Sequence, residues 1–378
     1  MRTGTPDLDD AEQLLSADVE GLLRGVALAG AQVRSIAEAA REGVLAPLQD
    51  LRPRSVVIVY SGGGVAARAA ALIVATVSAR IDVPVVTVPA LPGWIGPLDV
   101  VIVAGDDAGD MALSDAAARA TRRRAEVVVA APIAGPLRDA LGGNGIDLSP
   151  RVDVEPRLRF VGFVAAILAV FTALSGVRFG GVPPVLDEIA DALDEEASSG
   201  HPDRESFHNR AKMLALRVQD RPTVWTGDTP AGVVLAGHAS STFLSLAGIV
   251  CAAADLADAA RMAAVVAART PGGSAADSIF YDPEIDGPAA QAPPRSMVIT
   301  TATREWYTRQ RVAGLGDVDL VIGADADSPA APADREGPAR PMAGEDVADS
   351  PGDLPAHLVT VLRVELAAVY LRLVGNAE

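Results

Sequence analysis

Short runs of β-branched and other apolar residues recur through the first half of the chain, each ended by glycine, proline or charged residues. Runs of this kind are typical of strands buried in a parallel sheet. They predict strands at residues 55–60, 83–88, 98–104 and 126–131. Ala-rich segments with helical spacing follow the first and third strands, and such connections form right-handed crossovers in one sheet. The first half therefore predicts a doubly wound unit.

The same pattern begins again after Pro150. Apolar residues at helical spacing predict helices at 156–175, 185–196, 206–219 and 304–314. Further β-branched runs predict strands at 223–225, 296–300 and 318–323. The predicted fold class is α/β, with two doubly wound parallel-sheet domains of the flavodoxin-like kind.

Three further segments differ from this pattern. Residues 9–48 carry Leu and Val at spacings of three and four, which predicts a helical arm. Residues 325–355 hold eight acidic residues and six prolines with few large apolar side chains, which predicts disorder. Residues 356–374 place Leu and Val on one helical face, which must dock on a neighbour, and the second domain is the expected surface. We predict an arm at 1–50, domains at 51–180 and 181–324, a disordered insertion at 325–355 and a docking helix at 356–378.

Composition narrows the classes of partner. The 378 residues include 32 Lys and Arg against 49 Asp and Glu, a net charge of −17, which disfavours nucleic acid and anionic lipid as partners. Cys251 is the only cysteine, which excludes an internal disulfide and favours a reducing cytoplasm. Residues 1–10 show no signal peptide. Two uncharged stretches, 160–177 and 229–254, approach membrane-spanning length, but we predict buried helices because the surrounding pattern is that of an α/β fold.

Ligands of open parallel sheets bind where glycine turns lead from strands into helices. The turn Ser61, Gly62, Gly63, Gly64 is the first candidate for ligand binding, because backbone without side chains allows a phosphate or sugar hydroxyl to approach. It has neither the Walker lysine nor the dinucleotide fingerprint, so no nucleotide cofactor is predicted. The same glycines are also compatible with a purely structural turn.

A second turn, at 105–110, places Gly105, Asp106, Asp107 and Asp110 at a helix start. Carboxylates there cap the helix or bind a cation or polyol, and both alternatives stay open. Candidate catalytic groups are Asp106, His238 within an apolar helix, and Glu284 in an acidic turn. No two histidines have metal-ligand spacing, so no metal site is predicted.

Several short motifs follow one another in a distinctive order. Residues 91–97 (LPGWIGP) precede the strand that leads to the 105–110 turn, Pro156 and Arg157 begin a long apolar helix, and residues 209–215 read NRAKMLA. In this order they resemble the bifunctional glucose-6-phosphate and mannose-6-phosphate isomerases, a family built from two sugar isomerase (SIS) domains.

The resemblance implies a cytoplasmic homodimer that needs no cofactor and isomerises aldose and ketose 6-phosphates with a glutamate base and a histidine. It places Ser61, Gly62 and Gly63 in a ligand loop with Arg157 nearby. The family's hydroxyl-rich phosphate loop is replaced here by carboxylates at 105–110, and residues 240–258 hold no matching glutamate or histidine. Two hypotheses follow: an isomerase with relocated catalytic groups, or a catalytically degenerate protein that binds a sugar phosphate or another sugar derivative.

Overall fold

The apolar runs of the first half form one parallel sheet. The computed structural model of the chain describes residues 7–60, 62, 64–269, 293–323 and 348–375. The strands are β1 (Ser55–Tyr60), β2 (Val85–Val88), β3 (Asp99–Ala104), β4 (Glu126–Ala130) and β5 (Ile146–Asp147). Their order is β2-β1-β3-β4-β5, with Ile58 opposite Ile102. The four predicted strands are confirmed to within two residues, and the short β5 is an addition.

A second parallel sheet follows the same plan. Its strands are β6 (Thr223–Gly227), β7 (Ala252–Ala253), β8 (Arg295–Thr300) and β9 (Val318–Ile322). Their order is β7-β6-β8-β9. In each sheet the chain leaves the first strand to one side and later returns on its other side, which creates a topological switch point between β1 and β3 and another between β6 and β8.

Helices cover both sheets. The described ones are α1 (Ala11–Ala17), α2 (Leu22–Ala27), α3 (Ala29–Arg41), α4 (Val65–Val77), α5 (Met111–Arg122), α6 (Gly135–Leu141), α7 (Phe160–Ala173), α8 (Leu186–Ser199), α9 (Arg210–Asp220), α10 (Pro230–Thr242), α11 (Leu256–Arg269), α12 (Glu305–Val312) and α13 (Leu354–Gly375). A π-helical turn, Phe243–Ala247, extends α10. The predicted N-terminal arm consists of α1 to α3.

Alternation along each strand explains the layering. Val56 and Ile58 pack in one core with α4 and α7, whereas Val57 and Val59 pack in a second core with α5 and α6. Because both faces of β1 are buried, the strand is a continuous apolar run. The fold is α/β, with two doubly wound parallel sheets, an N-terminal helical arm and a C-terminal helix.

The two uncharged stretches contain helices of the core. All residues of α7 from Phe160 to Phe171 are buried except Gly162, and most of α10 is buried as well. None of the described helices is both long and apolar enough to cross a membrane.

The C-terminal helix differs from its prediction. Instead of one apolar face, α13 is buried on every side from His357 to Leu371, including Arg363 and Glu365. It packs against α8, α9 and α10 and also contacts α1 and α2, so that the arm and the second unit enclose it together. The prediction considered only the Leu and Val residues at helical spacing. It did not weigh the further apolar residues between them, which extend burial around the whole helix.

The predicted disorder of 325–355 does not hold at its end. Residues 324–347 lie outside the described residues, but from Ala348 onwards the chain is folded. Asp349 accepts a hydrogen bond from the Ala231 amide at 2.8 Å, and Ser350 and Asp353 form a capping box just before α13. Acidic residues that composition associates with disorder therefore serve here as hydrogen-bond acceptors at helix starts.

Candidate functional site

The switch point of the first sheet lies between the carboxyl ends of β1 and β3. Gly62 and Gly64 follow β1, and the 105–110 turn follows the neighbouring strand β3, so these residues lie at the same edge of the sheet. Small ligands of open α/β sheets bind in the crevice at such a switch point. The fold therefore brings these two sequence candidates together.

Asp106 is the polar group at this edge whose surroundings are most unusual. Its side chain is 26% exposed, and its Oδ1 lies 3.4 Å from Nη1 of Arg159, whose own side chain is 14% exposed. Burial raises the pKa of Asp106, while Arg159 acts to lower it and the Glu155 charge acts to raise it. A half-buried carboxylate beside a guanidinium can accept a hydrogen bond, and the guanidinium can donate one, to the same ligand.

Arg159, which the sequence analysis did not select, faces Asp106 in place of the predicted Arg157. Arg157 forms an ion pair with Glu155, and its Nη1 donates to the Ser245 carbonyl at 2.6 Å, so that it ties the first unit to the π-helical turn. Arg159 has a buried Nε without a hydrogen-bond partner among the described residues. The sequence could have pointed to Arg159 only through its position at the start of a long apolar helix, and Arg157, two residues earlier, has nearly the same position.

A small cleft with an accessible volume of about 20 Å³ opens beside Arg159, between α3, α7 and the loop after β5. Gln32 and Ser35 of α3 line one side, Phe163 of α7 lines the other, and Arg151 belongs to the loop. Gln32 is held by a 3.0 Å hydrogen bond to the Leu158 carbonyl. Arg159 thus lines a cleft that has room for about one water molecule in this conformation.

The other carboxylates of the 105–110 turn serve the backbone. Asp107 accepts from the Gly109 amide at 2.7 Å, and Asp110 caps α5 by accepting from the Ala112 and Leu113 amides. A phosphate at this helix start would need the amides that Asp110 occupies. The capping interpretation of Asp110 is confirmed, and the β3 turn provides no phosphate cradle there.

The glycine turn after β1 is only partly described. Ser61 and Gly63 lie outside the described residues, as does Glu284. Gly62 has a left-handed φ of +50°, a conformation that side-chain-bearing residues rarely adopt, and Gly64 begins α4 without a side-chain cap. A Cβ at Gly62 or Gly64 would meet no atom within 4 Å, so space beside the turn remains open.

His238, a predicted proton carrier, lies in the core instead of at this edge. Its side chain is 1% exposed and stacks near Phe160, and its Nδ1 accepts from Arg68 Nε at 3.3 Å. Because arginine only donates, the ring proton of neutral His238 must be on Nε2. Burial, with the Arg68 charge, lowers the pKa of His238 to about 3. The hypothesis that His238 exchanges protons with a ligand at this edge is therefore not supported by its position.

Glu365 of α13 completes this buried cluster. Its Oε1 lies 3.5 Å from His238 Nε2 and has no hydrogen-bond partner among the described residues. Burial raises the pKa of Glu365 to about 8, so the carboxyl group stays protonated at neutral pH. Two neutral side chains, His238 of α10 and Glu365 of α13, thus lie next to each other near the Arg68 cation.

These two pKa values predict a distinctive dependence of stability on pH. Between pH 3 and 6.5 the unfolded chain binds more protons at His238 than the fold does, so stability rises with pH. Between pH 4.5 and 8 the fold retains a proton on Glu365 that the unfolded chain releases, so stability falls. Only the fall remains above pH 6.5, at up to about 1.4 kcal/mol per pH unit.

We expect Glu365→Gln to remove this fall. The free energy of unfolding of the variant relative to the wild type should increase by about 2 kcal/mol from pH 6.5 to pH 8, measured by urea denaturation. Glu12→Gln makes the same chemical change at an exposed position of α1 and serves as the control. Parallel profiles for Glu365→Gln and the wild type would show that Glu365 is ionised in the fold.

Among the described residues, no three His, Cys, Asp or Glu side chains come close enough to hold a metal ion.

Neither a protein-family model nor a curated protein matches the chain. Solved structures do match over nearly its whole length. A glucose-6-phosphate isomerase-like protein from Thermus thermophilus is 16% identical, with a TM-score of 0.51 over 99% of this chain and 95% of that one.

Two further solved structures show the same arrangement. A candidate phosphosugar isomerase from Clostridium difficile is 10% identical, with a TM-score of 0.58 over 93% of this chain and 92% of that one. The C-terminal domain of glucosamine-fructose-6-phosphate aminotransferase from Francisella tularensis is 8% identical, with a TM-score of 0.53 over 98% of both chains. At these identities the likeness concerns the fold.

Proposed function

We propose that the chain binds a sugar derivative at the switch point of the first sheet. The observation that carries the proposal is the Asp106 and Arg159 pair at the carboxyl edge of the sheet. Arg159 also lines a small cleft, and its Nε has no hydrogen-bond partner among the described residues. Adjacent carboxylate and guanidinium groups suit a hydroxyl group, which donates to one and accepts from the other. The similar structures include proteins named for sugar phosphates, which supports this class of ligand.

In this proposal the two turns bind different parts of the ligand. Because Asp110 already occupies the amides at the start of α5, a phosphate group would be repelled from the β3 side. The start of α4, after Gly64, has no side-chain cap and follows the open glycine turn, and it suits a phosphate if the ligand carries one. In this arrangement the sugar hydroxyls lie over Asp106 and Arg159.

Isothermal titration with glucose 6-phosphate and with glucose tests the proposal. Arg159→Met should weaken binding at least tenfold, because a charged hydrogen bond contributes about 1.5–3 kcal/mol. Arg157→Met is the matched control, since the Arg157 guanidinium binds the Ser245 carbonyl and Glu155 instead. Equal weakening by both variants, or no binding of either sugar to the wild type, would contradict the assignment of Arg159.

Isomerisation of the bound sugar is a second candidate function, favoured by one observation. Burial raises the pKa of Asp106, and a carboxylate with a raised pKa is a stronger base for a proton next to a carbonyl group. Coupled assays with glucose 6-phosphate, fructose 6-phosphate and mannose 6-phosphate test it, with Asp106→Asn as the inactive variant. Turnover that Asp106→Asn retains would exclude Asp106 as the base, and no turnover at all would leave binding alone.

A further inference from the structure

The second sheet has a switch point of its own, between the carboxyl ends of β6 and β8. Asp228 follows β6 directly, and Arg304 ends a short turn, Ala302–Arg304, that follows β8. The strand order makes this edge the counterpart of the first site, with β6 in the place of β1 and β8 in the place of β3. None of the site residues selected from the sequence belongs to it among those that the structure describes.

The polar groups at this edge are buried and joined to one another. Arg304 Nη2 donates to Asp228 Oδ2 at 2.9 Å, and Thr308 Oγ1 donates to the same oxygen at 2.9 Å. The Asp228 side chain is fully buried, and that of Arg304 is 11% exposed. The ion pair is therefore held rigidly by α12, which carries Thr308.

Several atoms of this cluster have no hydrogen-bond partner among the described residues: Asp228 Oδ1, Arg304 Nε and Nη1, and both ring nitrogens of His357. His357 lies in the first turns of α13 and is 2% exposed. Burial lowers the pKa of His357, with the Arg304 charge acting in the same direction and the charges of Asp349, Asp353 and Asp228 acting against it. A neutral imidazole adds one donor and one acceptor.

Buried polar atoms without partners are costly, at about 1–3 kcal/mol each. At the corresponding edge of the first sheet, the described residues around Asp106 include one buried polar atom without a hydrogen-bond partner, the Arg159 Nε. Here the unpartnered atoms comprise an acceptor on Asp228, donors on Arg304 and both types on His357. Such a mixed set needs a partner that donates and accepts at once.

We propose that the second switch point is a separate binding site for a neutral polyhydroxy compound, held by Asp228, Arg304 and His357. Each hydroxyl group of such a ligand donates to Asp228 Oδ1 or the imidazole and accepts from the Arg304 guanidinium. A phosphate suits it poorly, because Asp228, Asp349 and Asp353 supply three carboxylates against Arg304 and Arg311. The amide of Ala231 at the start of α10 is already bound by Asp349.

Binding of myo-inositol and D-mannose, with inorganic phosphate as the anionic probe, is measured on the full chain by saturation-transfer NMR and titration calorimetry. Arg304→Lys keeps the positive charge beside Asp228 but removes the unpartnered donors, and it should weaken polyol binding at least tenfold. His357→Phe should do the same while raising the Tm, because it removes two buried unpartnered nitrogens. Arg309 of α12 is exposed and paired with Glu305, so Arg309→Lys serves as the control and should leave binding unchanged.

This site is independent of the first, and Arg159→Met separates them. Polyol binding that survives Arg159→Met and is lost in Arg304→Lys and His357→Phe supports the second site even if the first proposal fails. The proposal is overturned if neither polyol binds to Arg159→Met, if both edge variants bind as the wild type does, or if phosphate binds there and the polyols do not. Should Arg304→Lys fail to fold, His357→Phe alone decides.

Discussion

Replacing Gly227 by alanine is expected to prevent the second sheet from closing on α10. A Cβ at Gly227 would lie 2.2 Å from the carbonyl carbon of Gly232 and 2.6 Å from the backbone nitrogen of Val233. Backbone cannot rotate away as a side chain can, so helix and strand must separate. Because overpacking of side chains already costs about 1–3 kcal/mol, we expect a larger loss of stability here, seen as a low yield of folded protein or a strongly lowered Tm.

Gly237→Ala is the matched control on the same helix. A Cβ at Gly237 would meet no atom within 4 Å, and alanine favours the helix interior over glycine by up to about 1 kcal/mol. This variant should therefore be at least as stable as the wild type. A Gly227→Ala variant with an unchanged Tm would show that the close contact between β6 and α10 is not present in solution.

Arg363→Ala is expected to destabilise the fold by about 3–5 kcal/mol. Arg363 of α13 binds both carboxylate oxygens of Glu196 at 2.6 and 2.8 Å, and it donates to the Ile322 carbonyl at 2.6 Å. Both side chains of the ion pair are at least nine-tenths buried. Removing the guanidinium leaves a buried charge and a β9 carbonyl without their partner, which urea denaturation will measure.

Two comparisons isolate the buried ion pair. Arg151→Ala breaks the bidentate but exposed pair with Glu42, which should cost less than about 1 kcal/mol. The double variant Arg363→Met with Glu196→Leu removes both charges and should recover much of the lost stability, since a buried pair can often be replaced by apolar side chains. If Arg363→Ala costs no more than Arg151→Ala, the Arg363 pair is hydrated in solution.

The strands were predictable because burial on both faces leaves a direct mark on sequence. Val56 to Val59 are all apolar and β-branched, and a short run of this kind between turn residues is typical of a strand buried on both faces. The short strands β5 and β7 pair over only two residues each, which is too few to leave a pattern. Fold class could therefore be deduced from the sequence, while one edge strand of each sheet, β5 and β7, could not.

Position along a strand was sufficient to locate Asp106 in the fold. Asp106 was selected because it follows β3, and it lies at the switch point, while its role in ligand binding stays a prediction. Arg159 and Arg304 were missed because their roles depend on which way a guanidinium turns, and sequence spacing carries no information on that. Lys212, part of the motif that suggested the family, donates to the carbonyls of Pro202 and Arg204 in the core, so that motif reflects a folded loop.

The burial of α13 on every side has a consequence for biosynthesis. Residues 354–375 fill a space bounded by α8, α9, α10 and α2, whose own residues precede them by more than a hundred positions. Until that segment leaves the ribosome, the apolar surfaces of those helices stay uncovered, and we expect the nascent chain to bind chaperones during synthesis. The first sheet, which is complete by residue 147, can form earlier, so we expect the two halves to mature at different times.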